Sequence, residues 1–248
     1  MSIFVFRVLA MLTMLADHTA YFFLSGCPAL RTVCRFAFIA YAFMLAEGYL
    51  QIRNDAQRVR KHLLRLFVLT VLGELAYDLA FSRSVNPADQ SVMLPLLLGY
   101  VGMVLGDQLK TRKNGLFFTA LLYLLFAFLT YFANTNYRFA GVLLIFAFFW
   151  YLQRRDRWSV GKRLLILFAV LALYIPIYNW ARFDFCDLAS LCLKAAPYRS
   201  WNLATLFMAL PLAFYNGKLG YHARWFKTLY VWFYPVHLLL IAMVVSLR

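Results

Sequence analysis

Charged residues are scarce in this chain. They make up 14% of its 248 residues, and only 10 are acidic, whereas 64% of the residues are hydrophobic and 19% are aromatic. Water-soluble domains carry about 25% charged residues, so this composition excludes that class and is typical of a multi-pass membrane protein. We therefore predict an all-α, polytopic transmembrane helix bundle, in which helices and short loops take up almost the whole chain.

Segments that divide a chain or direct it to another compartment are also missing. No charged or Ser/Gly/Pro-rich linker interrupts the sequence, which favours a single integral-membrane domain over residues 1–248. The N-terminus lacks the basic region and the small-residue cleavage site of a signal peptide, and its first apolar run contains Asp17 and His18. We therefore expect this run to be retained as a helix.

Motifs for a bound metal or nucleotide are missing as well. No Cys/His spacing is typical of zinc, and neither G-x-x-x-x-G-K-S/T nor G-x-G-x-x-G occurs. The sequence therefore disfavours metal and ATP chemistry.

Only four cysteines are present, and all lie in or near loops that we predict to share the outer side: Cys27, Cys34, Cys186 and Cys192. In an oxidising compartment, Cys186 and Cys192 could pair across a short loop. Free thiols are the alternative.

What the sequence does contain is nine apolar segments. A run of about 20 apolar residues matches a hydrocarbon core of about 30 Å at 1.5 Å per residue. The segments cover residues 3–24, 33–51, 63–82, 92–109, 116–133, 138–152, 163–180, 201–215 and 228–247. The sixth and eighth are short for a full crossing. The pattern predicts about nine helices.

Basic residues are distributed unevenly between the loops. Sixteen of the 25 follow segments 2, 4, 6 and 8, eight lie on the opposite side, and Arg7 lies within segment 1. By the positive-inside rule, we predict that the N-terminus is cytoplasmic and the C-terminus is outside. The net charge of +15 is then mainly a signal of topology, with attraction to anionic lipid as a second effect. It needs no nucleic acid to explain it.

Segment 1 carries the first candidates for a catalytic site. Asp17 and His18 lie side by side at membrane depth, where an aspartate costs about 2.5–3.5 kcal/mol and a functional site is the default hypothesis. Arg35, on segment 2, is predicted to reach a depth similar to that of His18. The alternative is that these side chains join helices by hydrogen bonds.

Segments 3 and 9 supply further ionisable groups in the half of the bundle that we predict to be outer. Glu74 and Asp78 are four residues apart, so they lie on one helical face. His237 lies two residues after Pro235, whose missing N–H leaves a backbone carbonyl without its helical partner. Histidines among carboxylates suit general acid–base catalysis or proton relay. Interhelical salt bridging is the alternative. The candidate catalytic residues are His18, Asp17, Arg35, His237, Glu74 and Asp78.

A second cluster, on the predicted inner side, is basic. Positive charge is concentrated over residues 53–65, and the turn at 215–220 adds a glycine-containing basic segment. Together they could hold a polyphosphate, although cytoplasmic loops are basic in any case. The candidate cofactor-binding residues are Arg53, Arg60, Lys61, Arg65, Tyr215, Asn216 and Lys218.

Short blocks of sequence, in order from segment 1 to segment 9, carry a family pattern. They are residues 11–18 (MLTMLADH), 34–38 (CRFAF), 45–49 (LAEGY), 53–54 (RN), 63–66 (LLRL), 97–99 (LLG), 141–145 (GVLLI), 210–218 (LPLAFYNGK) and 233–238 (FYPVHL). The series resembles the TraX family. One departure is Asn136-Tyr137-Arg138, where many relatives have Asp-Tyr-Gly.

The resemblance implies an activity. TraX proteins are inner-membrane proteins named for the enzyme that N-acetylates conjugative pilin, and they are similar to membrane acyltransferases that carry a histidine in their first helix. It implies a multi-pass protein of the bacterial inner membrane that uses acetyl-CoA and needs no metal. A pilin N-terminus is one possible acceptor, and a glycan or a lipid is the alternative.

The resemblance and the residues together assign roles. His18 would deprotonate the acceptor or take the acetyl group transiently, Arg35 would stabilise the oxyanion, and Asp17 or a neighbouring carboxylate would orient the base. Coenzyme A phosphates would rest on the basic cluster. Two other classes stay open: a proton-coupled transporter, which would use the same buried charges, and a non-catalytic assembly factor, for which His18 would be dispensable.

Overall fold

The computed structural model describes residues 1–24, 36–86, 89–110, 112–181, 203–221 and 223–247. Of these residues, 82% are helical and none is in a strand. The predicted all-α class is therefore confirmed. The four cysteines and the predicted catalytic residue Arg35 lie outside the described residues.

Nine α-helices in the described ranges follow the order of the nine predicted segments. They are α1 (Ile3–Phe23), α2 (Phe36–Ile52), α3 (Ala56–Phe81), α4 (Met93–Leu109), α5 (Gly115–Phe132), α6 (Arg138–Leu152), α7 (Val160–Ala181), α8 (Ala209–Ala213) and α9 (Arg224–Ser246). A 3-10 helix, Leu203–Met208, precedes the short α8.

The start of α3 differs from the prediction. The apolar run begins at Leu63, but the helix begins at Ala56 because the Asp55 carboxylate accepts a hydrogen bond from the backbone N–H of Arg58 at 3.0 Å. Such an N-cap satisfies one of the amides that have no partner within the helix. Much of the predicted basic cluster therefore lies on the first turns of a helix and not in a loop.

Length and surface character show a membrane protein. Helices α1, α5, α7 and α9 are long and apolar enough to cross a membrane, and α2, α4 and α6 are shorter apolar helices. On α5, large apolar side chains are widely exposed, as expected of a lipid-facing surface. They include Leu116, Phe117, Leu121, Leu124, Phe128 and Phe132.

The chain forms two compact units. Unit 1 comprises Met1–Tyr41 and Arg157–Arg248, and unit 2 comprises Ala42–Asp156. The division falls within α2, so its residues 36–41 belong to unit 1 and its residues 42–52 belong to unit 2.

Unit 1 contains the parallel pair α1 and α9. Its N-terminus is held by the segment before α9, because the N–H groups of Ile3 and Phe4 donate to the carbonyls of Lys218 and Leu219 at 2.9 and 3.2 Å. The ring of the same Phe4 packs against that of Phe226 on α9, with centroids 4.8 Å apart. This start sets α1 and α9 side by side and in the same direction.

Unit 2 is packed around the small residues of α4. A Cβ at Gly99 or Gly102 would lie 2.6 or 2.5 Å from side-chain atoms of Ile145 and Phe146 on α6. A larger residue at either position would force these side chains to move, and such close approaches at small residues are typical of helix contacts in membrane proteins. The loop before α4 pairs with the loop before α6, because the Gln90 carbonyl accepts from the N–H of Asn136 at 3.0 Å.

Candidate functional site

The site lies in unit 1, where α1 and α9 bring together two of the predicted catalytic residues. The Nδ1 atom of His18 lies 2.7 Å from the Nε2 atom of His237, and the two rings are nearly coplanar, with an interplanar angle of 9°. His18 is half-buried, and His237 is only 5% exposed. We refer to these two residues as the histidine pair.

A backbone carbonyl determines which nitrogen of the histidine pair carries a proton. The Nδ1 atom of His237 lies 2.6 Å from the carbonyl oxygen of Phe233. A carbonyl only accepts, so Nδ1 of His237 is the donor, and its Nε2 accepts the hydrogen bond from Nδ1 of His18. In neutral His18 the basic lone pair is then on Nε2. The histidine pair is therefore arranged as a base, His18, supported by a second imidazole.

Aromatic side chains of α9 hold the second imidazole in place. The Phe233 ring stacks on the His237 ring, with centroids 4.7 Å apart, and the Tyr234 ring meets it edge-on at 5.8 Å. Helix α9 continues through Pro235. Because Pro235 has no N–H, the carbonyl of Val231, four residues earlier, loses its usual helical hydrogen-bond donor. The carbonyl to which His237 donates is a different one, that of Phe233.

Asp17 lies next to His18 on α1 and is half-buried. Successive helical residues point in different directions, so adjacency in sequence does not by itself set Asp17 against the imidazole of His18. Its role in orienting the base, like that of Arg35 in stabilising the oxyanion, stays a prediction.

The predicted carboxylates Glu74 and Asp78 lie in unit 2 and contact a loop. Both oxygens of Glu74 accept from the N–H of Ser91, at 3.0 and 3.1 Å, and the Oδ2 atom of Asp78 accepts from the N–H of Asn86 at 3.0 Å. Asp78 is 4% exposed. These bonds fix the segment between α3 and α4. We refer to Glu74 and Asp78 as the loop anchors, and their catalytic role stays a prediction.

The basic residues at the start of α3 have different surroundings. Arg60 and Lys61 are exposed. Arg65 lies 2.7 Å from Nδ1 of His62, whose ring packs against Tyr100 with centroids 4.9 Å apart. Arg65 is exposed as well, but Arg60 and Lys61 have no side-chain partner among the described residues and are therefore the cations available to a ligand at this end of unit 2.

Arg53 belongs to a charge cluster that the sequence analysis missed. Its guanidinium lies 3.4 Å from Asp107, which also accepts from the Tyr49 hydroxyl at 3.3 Å and pairs with Lys110 at 3.5 Å. A signal was present, because Asp107 is the only acidic residue in the apolar helix α4. We call these four residues the Asp107 cluster.

A second acidic residue in an apolar helix was also missed. Glu47, 5% exposed on α2, pairs with Arg155 at 3.6 Å. With the Asp107 cluster, this pair joins the segments that follow α2, α4 and α6 within unit 2. The arrangement agrees with the prediction that those segments share one side of the membrane.

The turn at residues 215–218 belongs to unit 1 and secures the N-terminus. The Tyr215 ring is buried against Phe6, with centroids 5.8 Å apart. The N–H of Asn216 donates to the carbonyl of Met1 at 3.1 Å, and its side-chain oxygen accepts from the N–H of Lys218 at 3.1 Å. Lys218 itself is exposed. The two parts of the predicted cofactor cluster thus fall in different units.

Comparison with known proteins gives one match. The family model of TraX, described as TraX protein, matches residues 3–245. No curated protein and no solved structure matches the chain.

Proposed function

This chain belongs to the TraX family, and on that premise we propose that it is a membrane acetyltransferase of the bacterial inner membrane. It transfers an acetyl group from acetyl-CoA to an acceptor amine, of which a pilin N-terminus is one example. The observation that carries the proposal is the histidine pair, in which two imidazoles on apolar helices are hydrogen-bonded and the partner of His18 defines its basic nitrogen.

The histidine pair supports a general-base mechanism. The acceptor nitrogen attacks the carbonyl carbon of the thioester, and Nε2 of His18 takes the proton that this nitrogen loses. The C–S bond then breaks, the amide forms, and the CoA thiolate leaves with that proton. Throughout, Nδ1–H of His18 donates to His237, which holds the ring in position and disperses the positive charge of the imidazolium.

The exposed cations at the start of α3 are proposed to contact the phosphates of the donor. Arg60 and Lys61 are exposed, and a phosphate ester prefers such charge-assisted hydrogen bonds. Arg53 and Arg65 each have a partner in the structure and would contribute secondarily.

The test is acetyl transfer by the purified protein. Detergent-solubilised protein is incubated with radiolabelled acetyl-CoA and a peptide that has a free N-terminus, beside the same peptide already acetylated at that amine. We expect label only on the free peptide, and none when His18→Gln replaces the wild type. Label on neither peptide, but on a glycan or a lipid, would move the proposal to O-acetylation.

A proton-coupled carrier is the second candidate, favoured by the same pair, because two hydrogen-bonded imidazoles can pass a proton from one to the other. Proteoliposomes distinguish the two functions. A carrier moves its substrate under a pH gradient without consuming acetyl-CoA, whereas the proposed enzyme consumes acetyl-CoA without a gradient.

A further inference from the structure

Arg7 is a cation inside a membrane helix and has no role in the site described above. It lies one turn into α1, is half-buried, and its guanidinium carbon is 5.0 Å from the centroid of the Tyr230 ring. Among the described residues, no carboxylate lies within ion-pair distance of it. A cation in such a helix is normally paired, so its remaining donors suit an anion from outside the chain.

Tyr41 supplies a second polar group in the same region of unit 1. Its hydroxyl is buried and has no hydrogen-bond partner among the described residues. Its ring stacks on that of Tyr230, with centroids 5.7 Å apart and an interplanar angle of 19°. Burying a hydroxyl without a hydrogen-bond partner costs about 1–3 kcal/mol of free energy. A ligand that forms a hydrogen bond with this hydroxyl would recover that cost and bind more tightly.

These groups form one face that ends at the histidine pair. Tyr230, Tyr234 and His237 are at i, i+4 and i+7 of α9, so they lie on the same side of that helix. On the adjacent α1, Arg7 and His18 are 11 residues apart, or about 16 Å along the helix axis. A continuous series of polar and aromatic side chains thus joins a cation to the proposed base.

We propose that this face binds the phosphopantetheine arm of the acyl donor, with a phosphate on Arg7, a polar group of the arm on the Tyr41 hydroxyl, and the thioester at His18. About 13 bonds separate phosphorus from sulfur in that arm, which spans about 14–16 Å at the extension of a peptide chain and so is comparable to the distance from Arg7 to His18 along α1. The inference rests on the proposed function and adds the path of the donor within unit 1.

Binding measurements test the assignment independently of turnover. Dissociation constants are measured by calorimetry for desulfo-CoA, desulfo-phosphopantetheine and desulfo-pantetheine, the last of which lacks phosphate. Removing a charge-assisted contact costs about 1.5–3 kcal/mol, so Arg7→Gln should weaken binding of the two phosphorylated ligands about 10- to 150-fold and leave the third unchanged. Tyr41→Phe should weaken all three about 2- to 10-fold.

Matched controls and a second variant keep the result interpretable. Arg224→Gln at the exposed start of α9 and Tyr21→Phe on the exposed side of α1 should bind all three ligands as the wild type does. If Arg7→Gln does not fold, Arg7→Lys retains the charge without the planar guanidinium and should show a smaller loss for the phosphorylated ligands.

The outcomes separate this inference from the proposed function. If the wild type neither binds desulfo-CoA nor transfers acetyl groups, both are wrong. If it binds and transfers, but Arg7→Gln and Tyr41→Phe bind normally, only the donor path is overturned. If Arg7→Gln instead loses co-purifying phosphatidylglycerol while donor binding is unchanged, the phosphate on Arg7 is that of a lipid, which also overturns the path.

Discussion

The histidine pair of unit 1 and the loop anchors of unit 2 are both ionisable groups inside apolar helices, but they differ in what they contact. His18 and His237 bond to each other across two helices, and Nδ1 of His237 also bonds to the backbone carbonyl of Phe233. Glu74 and Asp78 bond to backbone N–H groups of the loop that follows their own helix.

The partner of a buried ionisable group therefore indicates its role. A carboxylate that accepts from loop amides satisfies groups that would otherwise be buried without a partner, which is a structural task. An imidazole that donates to a second imidazole keeps a basic nitrogen and can take a proton. Substitutions in the histidine pair should therefore lower turnover, whereas substitutions at the loop anchors should lower stability.

The largest effect is expected at the base. His18→Gln keeps hydrogen-bonding capacity but cannot shuttle a proton, so turnover should fall by about 10²–10⁴-fold, the usual contribution of a general base. The midpoint of thermal unfolding and the affinity for desulfo-CoA should stay near the wild-type values. Near-normal turnover would make the histidine a packing residue and His237 the better candidate for the base.

At the loop anchors the effect should be on stability. Asp78→Asn weakens the bond to the N–H of Asn86 at a buried position, so the free energy of unfolding should fall by about 1.5–3 kcal/mol. Turnover per folded molecule should change little. The comparison is contradicted if Asp78→Asn unfolds like the wild type and loses turnover as His18→Gln does.

A smaller change is expected at the exposed cations of α3. Replacing both Arg60 and Lys61 by Gln should raise the KM for acetyl-CoA a few-fold, because exposed charge contacts contribute about 0.2–1 kcal/mol each. Steady-state kinetics against donor concentration measure this effect. Arg163→Gln, at the start of α7, is the control, and a double variant with lower kcat and unchanged KM would remove these residues from donor binding.

The smallest effect is expected in the Asp107 cluster. Asp107 and Arg53 are partly exposed, with side-chain exposures of 20% and 39%. Asp107→Asn should therefore lower the free energy of unfolding by no more than about 1 kcal/mol, as is usual for surface ion pairs. Thermal unfolding at low and high salt measures it, and a loss as large as that of Asp78→Asn would show that this cluster is a buried anchor as well.

The order and approximate positions of most helices follow from the sequence, because a helix that contacts lipid has a continuous run of apolar residues. The sixth segment, residues 138–152, coincides with α6. The start of α3 could not be found this way, since four of the six residues from Ala56 to Lys61 are polar or charged and only the Asp55 cap shows where the helix begins. Apolar periodicity carries no information about an exposed helical extension.

The candidate site was predicted in part for a similar reason. His18 and His237 are conspicuous in apolar helices, and the structure places them in contact. The task of Glu74 and Asp78 depends on backbone amides of a loop, which no residue type reveals. Asp107 was equally conspicuous, but 25 basic residues offered too many partners to choose Arg53 from sequence.

His18 and His237 are expected to act as one unit in catalysis, and a double-mutant cycle in acetyl transfer tests this directly. His18→Gln, His237→Gln and the double variant are compared in kcat/KM, with thermal unfolding as the check on folding. If His237 acts through His18, kcat/KM of the double variant will be no lower than that of His18→Gln alone, because without His18 there is no base for His237 to support. Independent, multiplicative losses would contradict the account.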